Sequence, residues 1–148
     1  MGAGPTEMPA TPRLAVDAPA VLSLLEAGRA PVHPLVGTAA LRSQVLDLAL
    51  GAVRAGHLEE TRAMALLEEL TSLRVRLLGD RVSRRTAWRL AREHGWATAD
   101  AEVVAVALLQ ADALVSGDAR LRALATGVVR LAPLEALTGL GGAPADPA

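Results

Sequence analysis

Short apolar runs separated by helical stretches, with no hairpin turn between any two of them, constrain this chain more than any other feature. Leu14–Val16, the stretch 73–78, the stretch 113–116 and the stretch 128–131 have the length and branched apolar content of buried strands. Antiparallel neighbours can be joined by two residues, whereas parallel neighbours need a crossover, so the intervening helices predict βαβ units and a parallel sheet covered on both faces. The first strand stops at Asp17, and Pro19 opens a short helix that Gly28 ends. A Pro-rich turn at 31–34 then leads to Thr38, the expected N-cap of a helix running to Arg54 with Leu41, Val45, Leu48 and Leu46 near helical spacing. A second helix spans 58–73 with Met64, Leu67 and Leu70 inward, so two consecutive helices follow the Pro-rich turn before the next strand. Ser83 is the expected cap of a helix through Arg92 closed by Gly95, and Thr98 that of a helix over 99–110 whose run Val103–Leu109 is apolar nearly all round, as in a helix wedged inside a core. A short helix over 118–125 and a last helical turn at 133–137 complete the order.

At 148 residues, 51% of them apolar, the chain is one domain with a real core. Residues 1–12 read as a loose arm, 13–138 as the domain and 139–148 as a frayed tail. No apolar run approaches the roughly 18 residues of a membrane span, and the absence of cysteine suits a reducing cytoplasm. The net charge of -1 gives no global pull toward nucleic acid, but distribution matters more than the sum. Every basic residue is arginine, and Arg74, Arg76, Arg81, Arg84, Arg85, Arg89 and Arg92 crowd one stretch opposed only by Asp80. Arg84 and Arg85 are candidate phosphate contacts, because guanidinium binds phosphate bidentately; a solvated helix face is the plainer account. With Trp88 and Trp96 the only aromatics, a platform that stacks several bases is not expected.

Three aspartates carry the chemical expectation. Asp17 and Asp118 each stand just past a strand, where parallel sheets bind ligands, and Asp100 stands in the first turn of a helix. Singly, each is explained as a helix cap or a dipole partner. Gathered together they would repel one another and raise each other's pKa without a cation, which points to Mg²⁺ or Mn²⁺ held by carboxylates and water. Such an ion orients water against a phosphodiester with no need of His, Ser or Cys.

The segments Leu14–Ala18, Leu41–Leu46, Thr98–Ala101 and Ala113–Leu121, in that order, resemble a PIN domain, with the VapC-like toxins the nearest subgroup. The resemblance runs from about Leu14 to Leu131 and is strongest at Ser116-Gly117-Asp118. It implies a three-layer α/β/α sandwich and a Mg²⁺- or Mn²⁺-dependent endoribonuclease site. Asp17, Asp100 and Asp118 would be its metal-binding catalytic acids, and Ser116 would support them. It also implies an RNA substrate, a homodimer and an inhibitory antitoxin. Gln44 stands where the family places a glutamate. An amide can offer an oxygen to a metal yet cannot neutralise it, so reduced or silenced activity is expected; Asp47, three residues on near the same helix face, could partly compensate, with a surface acid the plainer account of it.

Two other readings are open. A phosphoacceptor receiver domain shares the architecture, but that family relies on a lysine and this chain has none. A catalytically inactive PIN-fold module would bind RNA or protein through the arginine-rich stretch. His33, His57 and His94 lack ligand spacing, and the glycines at 139–142 do not form a phosphate loop.

Overall fold

The computed structural model describes residues 7–139. Four parallel strands, β1 (Leu14–Val16), β2 (Leu35–Thr38), β3 (Arg76–Leu78) and β4 (Ala113–Val115), form one sheet in the order β3-β2-β1-β4. Six helices flank it: α1 (Ala18–Glu26), α2 (Leu41–Arg54), α3 (Glu60–Ser72), α4 (Asp80–His94), α5 (Thr98–Gln110) and α6 (Ala119–Ala125). A 3₁₀ turn at Leu134–Leu137 follows.

Side chains of a strand alternate between faces, and here that alternation divides one hydrophobic sequence into two cores. Leu14, Val16, Leu35, Ala113 and Val115 pack against α1, α2 and α3. Ala15, Val36, Leu78 and Leu114 pack on the other side against Ala87 and Leu90 of α4, Val104 and Val106 of α5 and Leu121 of α6. The result is a three-layer α/β/α sandwich. Each fully buried Leu or Val contributes about 1.5–3 kcal/mol relative to exposure, so strands of three or four residues can hold a sheet together when both faces are covered. Helix α5 is wedged against α4 and the sheet as its apolar run predicts, although Leu108 and Leu109 at its end are exposed.

The structure corrects several expectations. The stretch read as a loop before a helix contains β2, paired with β1 through Leu14–Leu35 and Ala15–Val36. Pro34 in front of it and Gly37 within it hid the strand from pattern reading. Gly37 has a packing reason: a Cβ there would lie 2.7 Å from Leu41 Cδ2, on which α2 seats against the strand. Thr38 ends β2 and does not cap α2; the residue before α2 is Ala40, without a side-chain cap. Ser83 is buried inside α4, and Thr98 is the first residue of α5 rather than its cap. Met64, Leu46 and Leu48 point outward, because the inward stripes are Ala63, Leu66 and Leu70 on α3 and Leu41, Val45 and Ala49 on α2. Small alanines at those contacts let the helices approach closely, which a search for large apolar residues overlooks.

The segment 128–131 forms no full strand. It contributes two isolated parallel bridges, Val129 to Thr126 and Leu131 to Leu114, the second flanked by Leu114 N–H to Arg130 O at 2.8 Å and Ala132 N–H to Leu114 O at 2.9 Å. At the amino end, Met8 packs against the core and Pro12 is buried, so the described part of the expected arm touches the domain. The expected tail at 139–148 lies, from residue 140 on, outside the described residues.

Candidate functional site

Chain order and strand order diverge at one place. From β1 the chain moves outward through β2 to β3, then returns to place β4 on the other side of β1. The crossovers leaving β1 and β4 therefore depart in opposite directions, and a crevice opens at their carboxyl ends, the position at which open parallel sheets bind ligands. Asp17 follows β1 and Ser116-Gly117-Asp118 follows β4.

Asp17 is 4% exposed, and both of its carboxylate oxygens are engaged. Oδ1 accepts the N–H of Ala20 at 2.9 Å, capping α1, and the N–H of Gly117 at 3.0 Å. Oδ2 accepts the hydroxyl of Ser116, a residue that is itself fully buried. A buried carboxylate is costly unless its lone pairs are met, and here the loop after β4 meets them. The Ser116 oxygen in turn accepts the Asp118 N–H at 3.0 Å. Gly117 is required by the close approach of this loop to α1: a Cβ on it would lie 2.8 Å from Pro19 C and Ala20 N, backbone atoms that have no rotamer in which to withdraw. Arg122 donates to the Ser116 carbonyl at 2.8 Å and holds the end of β4 from the other side. One hydroxyl and one bare peptide thus join the first and last aspartates.

Asp118 caps α6, its Oδ1 accepting the Arg120 N–H at 2.9 Å. The side chain of Arg120 reaches across to Asp100 on α5 and forks onto both of its oxygens, Nη1–Oδ2 at 2.9 Å and Nη2–Oδ1 at 2.8 Å, while Nη2 also lies 3.3 Å from Asp118 Oδ2. Such a paired fork is the strong form of the arginine–carboxylate contact. The hydrogen bonds that the guanidinium donates to Asp100, the charge of Asp100, and then the charge of Asp118 raise the guanidinium pKa above its ordinary value. Asp100 is mostly covered at 14% exposure and Arg120 is open at 61%. Among the described residues no group of three or more His, Cys, Asp or Glu converges as a metal cage. A guanidinium instead lies between two of the carboxylates and supplies the positive charge they require.

All three sequence-predicted aspartates, together with Ser116, thus belong to one linked network. Gln44 lies in the first turn of α2, just past the carboxyl end of β2, half-buried, with its N–H bonded to Ala40 O at 3.0 Å. Its side chain is hydrogen-bonded to none of the aspartates, and Asp47 is exposed on the same helix. Arg84 is ion-paired to Asp80 at 2.8 Å, while Arg85 is exposed. Arg120 and Arg122 were not legible in advance. Asp118-x-Arg120 is a two-residue spacing of no evident meaning until the fold brings Asp100 beside it, twenty positions away. A surface depression of about 1040 Å³, lined by Leu25, Arg29, His33, Leu73 and Arg76 among others, lies at the amino ends of β2 and β3, and none of the three aspartates lines it.

A four-stranded parallel α/β/α sandwich with an acidic network at its switch point is the class that fold and site define. Among solved structures, PAE2754 from Pyrobaculum aerophilum is similar at a TM-score of 0.65 and 24% identity, over 85% of this chain and 86% of that one. That likeness supports the fold alone. No family model and no curated protein matches the chain.

Proposed function

We propose that this protein is a metal-dependent endoribonuclease of the PIN/VapC toxin type, weakened or silenced by Gln44 in place of a glutamate. The observation that carries the reading is the bridging of Asp100 and Asp118 by one guanidinium, in a network that continues through Ser116 and Gly117 to Asp17. Carboxylates brought this close call for a cation, and an all-oxygen donor set suits Mg²⁺ or Mn²⁺. The donor chemistry suits such an ion, but among the described residues the acids do not converge as a cage, so holding it would require the exposed Arg120 to swing out and the carboxylates to draw together. Asp17, Asp100 and Asp118 would hold it, and when bound it would supply Lewis-acid activation of water toward a phosphodiester. Ser116 and the Gly117 N–H hold the Asp17 carboxylate in one orientation. Gln44, at the same carboxyl edge of the sheet, contributes an oxygen without charge.

The implied partners follow the same reading: an RNA substrate, an antitoxin covering the crevice, and a second copy of the chain. Leu46 and Leu50, one turn apart on α2, and Met64 on α3 are exposed apolar side chains that a homodimer would cover. No helix among the described residues is long and apolar enough to cross a membrane, and the proposed setting is the cytoplasm. The test is Mn²⁺-dependent cleavage of structured RNAs by the protein, by Gln44→Glu and by Asp17→Asn, with EDTA as control. Cleavage by Gln44→Glu above the parent level and none by Asp17→Asn supports the proposal. Cleavage that persists in Asp17→Asn or in EDTA refutes it.

A second reading, a catalytically inactive module that binds RNA or protein, is favoured by one observation, the exposed arginine stripe on α4.

A further inference from the structure

Helix α4 carries five arginines against two acids, and its two acids are already taken. Asp80 pairs with Arg84 at 2.8 Å, and Glu93 lies 3.9 Å from Arg89. Arg81, Arg85 and Arg92 have no ion pair with any described residue, so three positive charges are left over on one helix. Their placement is regular. At about 100° per residue, Arg81, Arg85, Trp88 and Arg92 fall within an arc of roughly 60°, a single stripe on the side away from buried Ser83, Ala87 and Leu90. Trp88 stands in the middle of that stripe at 68% exposure, the highest among the exposed large hydrophobic residues. The other indole, Trp96, is stacked on His94 with ring centroids 4.5 Å apart and is half-buried.

We propose that this stripe is a docking surface for a single-stranded nucleic acid. Charge complementarity identifies the occupant as a polyanion, and the indole between the arginines narrows it to one with flat rings to stack. A duplex keeps its bases stacked on one another and offers Trp88 no face, whereas an unpaired strand can turn one base onto the ring while its phosphates meet the guanidinium groups. Recognition of this kind is tolerant of sequence, because every base has a π-face. The surface lies on α4 and its binding needs no metal, so it goes beyond the nuclease reading and stands or falls separately.

The experiment uses the full chain with Trp96→Phe, which leaves Trp88 as the only indole, titrated in EDTA with oligouridylate, oligothymidylate and heparin while Trp88 fluorescence is followed. Three phosphate contacts on a single strand predict a log–log salt slope of about -2 between roughly 50 and 200 mM salt, and Arg85→Ala should flatten it by about 0.7. Trp88→Ala, read by anisotropy of a labelled oligonucleotide, should weaken binding about 5- to 150-fold. Arg84→Ala, which removes an already paired arginine, should change the slope less than Arg85→Ala. Quenching by either oligonucleotide supports the proposal, and the stronger of the two says whether RNA or DNA is preferred. The proposal is overturned if heparin binds equally and Trp88→Ala costs nothing, if an acidic peptide quenches Trp88 while the oligonucleotides do not, or if oligonucleotides bind with unchanged affinity when Arg81, Arg85 and Arg92 are all alanine. The four stripe side chains are exposed, so far-UV circular dichroism should be unchanged when any of them is replaced in the Trp96→Phe or parent background. Because EDTA excludes metal-dependent cleavage, a failure here leaves the nuclease proposal standing, and the reverse also holds.

Discussion

Replacing Asp17 by alanine removes a helix cap and an interior fastener at once, whereas replacing it by asparagine removes mainly a charge. In Asp17→Ala, α1 loses the acceptor for the Ala20 N–H, worth about 1 kcal/mol. The Gly117 N–H, part-buried, is left without an acceptor at a cost of about 1–3 kcal/mol. The Ser116 hydroxyl can turn toward the Asp118 carbonyl, 3.2 Å away, and so adds little. The sum is about 2–4 kcal/mol, or a fall in Tm of about 4–16 °C for a chain of this size. In Asp17→Asn the remaining oxygen still takes both N–H groups. The new NH₂ faces the Ser116 oxygen, which accepts once its own proton has turned to Asp118 O, so the cost should be about 1 kcal/mol. Urea and thermal unfolding in EDTA at neutral pH measure both variants. An alanine variant within about 0.5 kcal/mol of the parent, or an asparagine variant as damaged as the alanine one, would refute the account of the network. The asparagine variant also isolates the charge: if Mn²⁺ stabilises the parent but not Asp17→Asn, the loss reports metal affinity rather than misfolding.

Other perturbations probe neighbouring parts of the structure. Gly117→Ala places a Cβ 2.8 Å from the backbone of Pro19 and Ala20 and should cost about 1–3 kcal/mol, while Gly51→Ala, on a helix position with open space around it, should stabilise by about 0.5–1 kcal/mol; unfolding curves of the pair should move in opposite directions. Arg120→Gln removes the guanidinium between Asp100 and Asp118 and should increase the gain in Tm on adding Mn²⁺; a smaller gain than in the parent would show that Arg120 does not compete with a metal. Asp80 is held below its ordinary pKa by the hydrogen bond and charge of Arg84, so its contribution is present above the unfolded-state value and is lost as pH falls through the folded-state one. Asp80→Asn should therefore be slightly less stable than the parent at neutral pH in low salt, with the gap closing below about pH 4; a gap that persists in acid would contradict the assignment.

Local chemistry alone decided a good part of this protein. Asp17 and Asp118 are capping residues at the ends of apolar runs, and a carboxylate two or three residues before free N–H groups will cap a helix in almost any surroundings. Gly95 closes α4 in the left-handed conformation for an equally local reason. The absence of hairpin signals made the sheet parallel, and the apolar run of α5 placed that helix in the core. Tertiary structure decided the rest. The strand β2 exists because β1 and β3 offer it partners on both sides and Gly37 lets Leu41 close over it, conditions invisible in four residues framed by Pro34. Helix phase on α2 and α3 was settled by which side admits close packing, so Ala63 went in and Met64 out. The bond from Arg120 to Asp100 depends on the position of β4 beside β1, which brings the ends of α5 and α6 together. A cap answers to its nearest neighbours along the chain, whereas a charge bridge across twenty residues answers only to the fold.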